Sequence, residues 1–217
     1  MAKLKMILVL LVIVLIGLVI PGITLLGRDG NVQLPTRIAI SKSNTVMIRG
    51  SMGENILQTQ QQMQFMIANN PDLKLINIYI DSPGGGYTQE TQSMIAYMEY
   101  LKLNGTTLRC VVGNIAASLA TVILSHCNER YAFAHSVIMF HGARFRGQDG
   151  LNAVEAERLA AELHRLDASV WAFMKDIIDD EDYWDENFAA ERLIPAPELA
   201  VKNPRILTII DSAIVVE

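Results

Sequence analysis

An unbroken apolar run, Met6 to Ile20, opens the chain behind Lys3 and Lys5, and Pro21-Gly22-Ile23-Thr24-Leu25-Leu26 prolongs it. No polar face interrupts it, which argues against a buried core helix. As a helix over 6–26 it would cover roughly 30 Å, about the thickness of a bilayer's hydrocarbon core. No A-x-A-like triplet precedes Arg28, so an uncleaved signal anchor over 1–27 is expected rather than a cleaved leader. Lys3 and Lys5 favour a cytoplasmic amino terminus, although Arg28, Arg37 and Lys42 on the far side blunt that argument. The expected placement is a single-pass anchor with the rest of the chain outside the cytoplasm.

Gly27-Arg28-Asp29-Gly30 and the polar residues up to Pro35 form an expected linker, 28–36, before a domain over 37–217. From there strand and helix patterns alternate. Short β-type runs fall at 37–40 and 45–48. Ile56, Leu57, Met63, Met66 and Ile67 stripe a helix over 54–68. A strand at 75–80 stops at Asp81-Ser82-Pro83-Gly84-Gly85-Gly86, and a helix over 88–103 stops at Asn104-Gly105. Then come a strand at 107–112, a helix over 117–126, strands at 130–133 and 137–140, a long helix over 151–178, and one or more strands in 206–216. Such alternation predicts an α/β domain with largely parallel strand pairing.

Composition narrows the function. The chain has 217 residues, is 51% hydrophobic and carries a formal charge of −5. Its mean hydropathy of +0.26 owes much to the first 26 residues. An acidic balance without a basic stripe excludes a nucleic-acid binder. Asp179-Asp180-Glu181-Asp182 is expected to be a solvated helix end rather than a metal site. Neither a GxxxxGK[ST] loop nor an HExxH motif is present, so no metal or nucleotide cofactor is implied. Two cysteines are too few for a disulfide scaffold. Cys110 fits a core strand and Cys127 a helix end, and no bond between them is expected.

The candidate chemistry lies where strands end, the usual place for ligands in α/β sheets. Three segments fall there: the glycine turn after Ile80, the turn Gly113-Asn114-Ile115-Ala116-Ala117-Ser118, and His141 after Val137-Ile138-Met139-Phe140. A serine hydroxyl near neutral pH needs a base within reach, and neighbouring strands would bring Ser118 and His141 to one cleft. Alone, Ser118 would be read as a helix N-cap and His141 as structural; together, with the glycine turn, they point to a nucleophile and its base. His126, His135 and His164 lack such placement.

On Ile76 to Gly85, Gly113 to Ser118, Met139-Phe140-His141 and Arg192-Leu193-Ile194-Pro195-Ala196-Pro197-Glu198, the chain resembles the Clp protease proteolytic subunit family of serine peptidases, from about Arg37 to Ile210. The resemblance implies a crotonase-like α/β spiral of ββα units, usually assembled into rings. It implies Ser118 as nucleophile, His141 as general base and then acid, and an oxyanion hole of the Gly85 and Leu119 amides. A third glycine follows the usual Pro-Gly-Gly, which leaves Gly84 and Gly86 open for that role. One residue more than the family's Gly-x-Ala-Ala-Ser separates Gly113 from Ser118. Glu191 stands where the family has its aspartate, and Asp182 and Asp185 are alternatives. The long helix, with Leu159, Leu163, Leu166, Val170, Phe173 and Ile177, would include the one through which rings stack.

These readings lead to a membrane-tethered serine endopeptidase acting on unfolded proteins or peptides as a homo-oligomeric ring. An ATPase partner is not expected outside the cytoplasm and is left open otherwise. The alternatives are a non-catalytic membrane scaffold of the same fold and a crotonase-type acyl-CoA enzyme.

Overall fold

The structure is a computed structural model that describes residues 37–86, 88–144 and 152–216. The expected anchor (1–27) and linker (28–36) lie outside the described residues. Among the described residues no helix is long and apolar enough to cross a membrane.

Strand β3 (Leu75–Gly84) lies inside a seven-stranded sheet. Ile76, Ile78 and Ile80 on one face are fully buried, as is Asn77 on the other. Burial on both faces suits a strand with parallel neighbours on each side. Those neighbours are β2 (Thr45–Ser51) and β4 (Thr107–Ala117). Helices α1 (Met52–Asn69), α2 (Thr88–Leu103) and α3 (Leu119–Ser125) cover one face, where Met52, Ile56, Met63, Met94, Met98, Leu101 and Ile123 join the main core. A parallel ribbon of β1 (Arg37–Ser41) and β9 (Ser212–Val216) accompanies a second, smaller core of Ile38, Ile40, Val111 and Ile210.

Strand β4 has two successive partners on one side. Arg109–Val112 pair with β5 (Glu129–Phe133), and Ile115–Ala117 pair with β6 (Val137–Met139). Both pairings are parallel, and β8 (Thr208–Ile210) continues the sheet beyond β5. β7 (Ile194–Pro195) adds the antiparallel pairing, to β6. The expected α/β class with mostly parallel strands is therefore observed.

Several boundaries differ from the sequence expectation. β3 and β4 continue through the residues expected as turns, to Gly84 and Ala117. The long helix α4 spans Ala153–Met174 and passes into a 3-10 turn, Lys175–Ile177. Two helices were not anticipated: α5 (Glu181–Ala190) and α6 (Ala196–Lys202). The acidic cluster starts α5, with the Asp180 carboxylate accepting the Tyr183 N–H at 3.0 Å as an N-cap.

The expectation of unlinked cysteines is corrected. Cys110 and Cys127 form a disulfide with Cα atoms 5.8 Å apart. After α3 the chain returns alongside β4 to begin β5, and this return brings Cys127 over Cys110. Cysteine spacing alone does not reveal such a return.

Candidate active site

Register places the serine and the histidine. Ala117, the last residue of β4, pairs with Met139, the last of β6. Ser118 is the next residue after the first strand, and His141 lies two beyond the second. Both side chains therefore emerge at the same end of adjacent parallel strands.

Ser118 has φ 57° and ψ −127°, outside the conformations a side-chain-bearing residue ordinarily adopts. Such a residue costs on the order of 1–3 kcal/mol and persists only where its surroundings hold it. Here its N–H donates to the Met139 carbonyl at 2.9 Å. Its carbonyl accepts the Thr121 N–H at 3.0 Å and the Thr121 hydroxyl at 2.5 Å. The same hydroxyl lies 3.3 Å from the Met139 carbonyl. Thr121 thus ties the turn to the strand that leads to His141. Although Ser118 occupies the N-cap position of α3, its side chain makes no capping bond. The hydroxyl is not committed to the ordinary structural job of a serine at a helix start.

Upstream, the Gly113–Ser118 segment carries a bulge. The β3–β4 register passes from Ile80↔Val112 to Ser82↔Ala116. The Asp81 carboxylate pins the bulge, accepting the Asn114 N–H at 3.2 Å and its Nδ2–H at 3.0 Å.

The glycine turn packs directly on the elbow. A Cβ on Gly84, whose φ is +86°, would lie 2.4 Å from the Ala117 carbonyl oxygen and 2.6 Å from Ser118 Cβ. The Gly84 N–H donates to Ser82 Oγ at 3.1 Å, so it is not the open donor that an oxyanion requires. Ser82 Oγ is in turn fixed by donating to the Gly50 carbonyl at 2.6 Å. Leu119 is the first residue of α3, so its amide has no partner within the helix.

His141 is half-buried, and its Nδ1 lies 2.6 Å from the Gly142 carbonyl. A carbonyl only accepts, so Nδ1 carries the proton and Nε2 is the basic nitrogen.

Glu191 ends α5 in the left-handed region, with φ 52°. Its carboxylate pairs with Arg144, three residues beyond His141. The hydrogen bond from Arg144 holds the carboxyl below its ordinary pKa, with further lowering from the charges of Arg144 and His141. Asp182 and Asp185 stand exposed on α5. Of the expected residues, the fold brings Ser118, His141, the glycine turn and Leu119 to one strand end, and Glu191 to the segment that follows the histidine.

Three contributors were not anticipated from sequence: Thr121, Arg144 and Asp167. Asp167 lies on α4 and accepts the Ala143 N–H at 2.6 Å. Its position on a long amphipathic helix gives no local signal of this contact. His126 lies elsewhere, with Nδ1 2.9 Å from the Glu99 carboxylate. Burial is the main cause of its lowered pKa.

Fold and site together define a mostly parallel α/β protein with a strained serine elbow beside a strand-end histidine. The chain belongs to the Clp protease family, whose model matches residues 30–181. That match includes Ser118 and His141 and ends before Glu191. A curated relative, the ATP-dependent Clp protease proteolytic subunit of Pleurastrum terricola, is 32% identical over 98 residues, covering 44% of this chain and 48% of the relative. The chain thus matches about half the length of that relative.

Proposed function

We propose that this chain is a serine-type endopeptidase that hydrolyses peptide bonds in unfolded proteins or peptides. The observation that carries the reading is the Ala117↔Met139 register, which sets Ser118 and His141 at neighbouring strand ends with the serine in a strained, non-capping turn. In the proposed reaction Ser118 Oγ attacks the scissile carbonyl carbon while His141 Nε2 accepts the hydroxyl proton. The tetrahedral oxyanion is held by the Gly85 and Leu119 amides. Its collapse breaks the C–N bond, and His141 returns the proton to the departing amine. Water then attacks the acyl-serine by the same proton path and releases the acid. Glu191, whose carboxylate pairs with Arg144 three residues beyond His141, supplies negative charge near the imidazolium.

Substitution of Ser118 or His141 by alanine is expected to lower peptide hydrolysis by about 10³-fold or more with assembly size unchanged. Activity retained in Ser118→Ala would refute the reading. The pairing of Glu191 with Arg144 gives the non-catalytic scaffold its best footing. That alternative predicts no serine-dependent hydrolysis by the wild type.

The enzyme is further proposed to assemble as a homo-oligomeric ring and to be tethered by 1–27, with its domain outside the cytoplasm. The Cys110–Cys127 bond supports this placement, because disulfides persist mainly in oxidising compartments. Resistance to alkaline extraction, with the domain digested by protease added outside intact cells, is the expected result. Release of the full chain by alkaline carbonate would contradict the tether.

A further inference from the structure

The Nδ1 of His141 meets a peptide group instead of a carboxylate, and that peptide is itself gripped by one. The single peptide unit joining Gly142 and Ala143 offers its carbonyl to His141 Nδ1 at 2.6 Å and its N–H to Asp167 Oδ1 at 2.6 Å. Asp167 also closes over the preceding residue: a methyl group on Gly142 would lie 3.0 Å from Oδ2. Asp167 is half-buried, while Glu191 is exposed with its carboxylate on Arg144. An anionic acceptor strengthens the N–H bond it receives and polarises the peptide, making the carbonyl at its other end a better acceptor.

From this chain of contacts we infer that Asp167 is a positioning residue for His141, acting through the Gly142–Ala143 peptide to fix the Nδ1–H tautomer and support the imidazolium formed during catalysis. The inference rests on the peptidase reading above and extends it to a residue on a different helix. The carboxylate takes no proton and touches no substrate. It orients the peptide whose oxygen orients the base.

The test uses the full chain and a fluorogenic peptide. Asp167→Ala is expected to lower kcat by about tenfold to hundredfold with KM within about twofold, because the defect lies in the base and not in binding. Asp167→Asn keeps a neutral acceptor in place and is expected to recover part of that loss. Gly142→Ala crowds the carboxylate from the opposite side and is expected to lower kcat severalfold. Should Asp167→Ala not fold, the other two variants decide. Wild-type kcat in both, or losses confined to KM, would overturn the inference.

A second readout needs no activity. In the Ser118→Ala background, the nitrogen chemical shifts of His141 are expected to report a protonated Nδ1, and Asp167→Ala is expected to shift them toward a mixture of tautomers. An unchanged tautomer would overturn the inference. A shifted tautomer in a chain without wild-type peptidase activity would uphold the link to Asp167 and refute only the peptidase reading.

Discussion

Gly84 bears most directly on the geometry of the serine. Any side chain there would meet the Ala117 carbonyl oxygen at 2.4 Å and Ser118 Cβ at 2.6 Å, and its φ of +86° already disfavours an L residue. Backbone is the obstacle, so no rotamer change relieves it. Gly84→Ala is expected to destabilise the fold by about 2 kcal/mol and to abolish peptide hydrolysis, read by chemical denaturation and a peptide assay. Wild-type activity in that variant would show that the turn does not set the elbow. The choice among three consecutive glycines was not legible in the sequence, since each satisfies the turn equally well on paper. Packing sets Gly84 apart from the other two, placing it against the elbow and committing its amide to Ser82. Ser118 and His141, by contrast, were legible because both follow strand-like runs. Asp167 was not, because nothing along α4 marks the residue that faces Ala143.

At the level of elements, the site depends on β4, β6 and α3 keeping register at their junction. Thr121 is the cross-brace: buried in the first turn of α3, it bonds the Ser118 carbonyl at 2.5 Å and lies 3.3 Å from that of Met139. Thr121→Val keeps the shape but removes the hydroxyl, which is expected to cost about 1–3 kcal/mol. It is also expected to lower kcat more than it raises KM, measured by denaturation and steady-state kinetics. A variant with wild-type kcat would exclude the brace from the site's geometry. The helix over 88–103 was legible to the residue because its apolar spacing and the Asn104-Gly105 stop agree. The end of β4 was not. Gly113-Asn114 has the composition of a turn, yet the Asp81 carboxylate holds it as a bulge and the strand continues to Ala117. Helices α5 and α6 also escaped notice. Their buried positions are few, Trp184 and Asn187 in one and Ala196 and Leu199 in the other, too short a stripe to stand out from an acidic, proline-broken segment.

For the whole molecule, the disulfide joins β4 to the connection between α3 and β5 across a separation of 17 residues. Cross-linking a loop of this size restricts the unfolded chain and is expected to stabilise the fold by about 3 kcal/mol. Unfolding with and without a reducing agent is the appropriate comparison, because reduction leaves the packing atoms in place. Equal stability in both conditions would mean that the bond contributes nothing. The family match, the parallel sheet and the strand-end site all concern the part of the chain after the expected anchor, and the proposal built on them is that Ser118 is a nucleophile activated by His141. Labelling with a fluorophosphonate probe, followed by peptide mapping, tests it most directly. The account predicts a single adduct on Ser118 that is lost in His141→Ala while the variant remains folded. An unlabelled Ser118 in folded wild-type protein, or labelling that persists at full rate without His141, would contradict it.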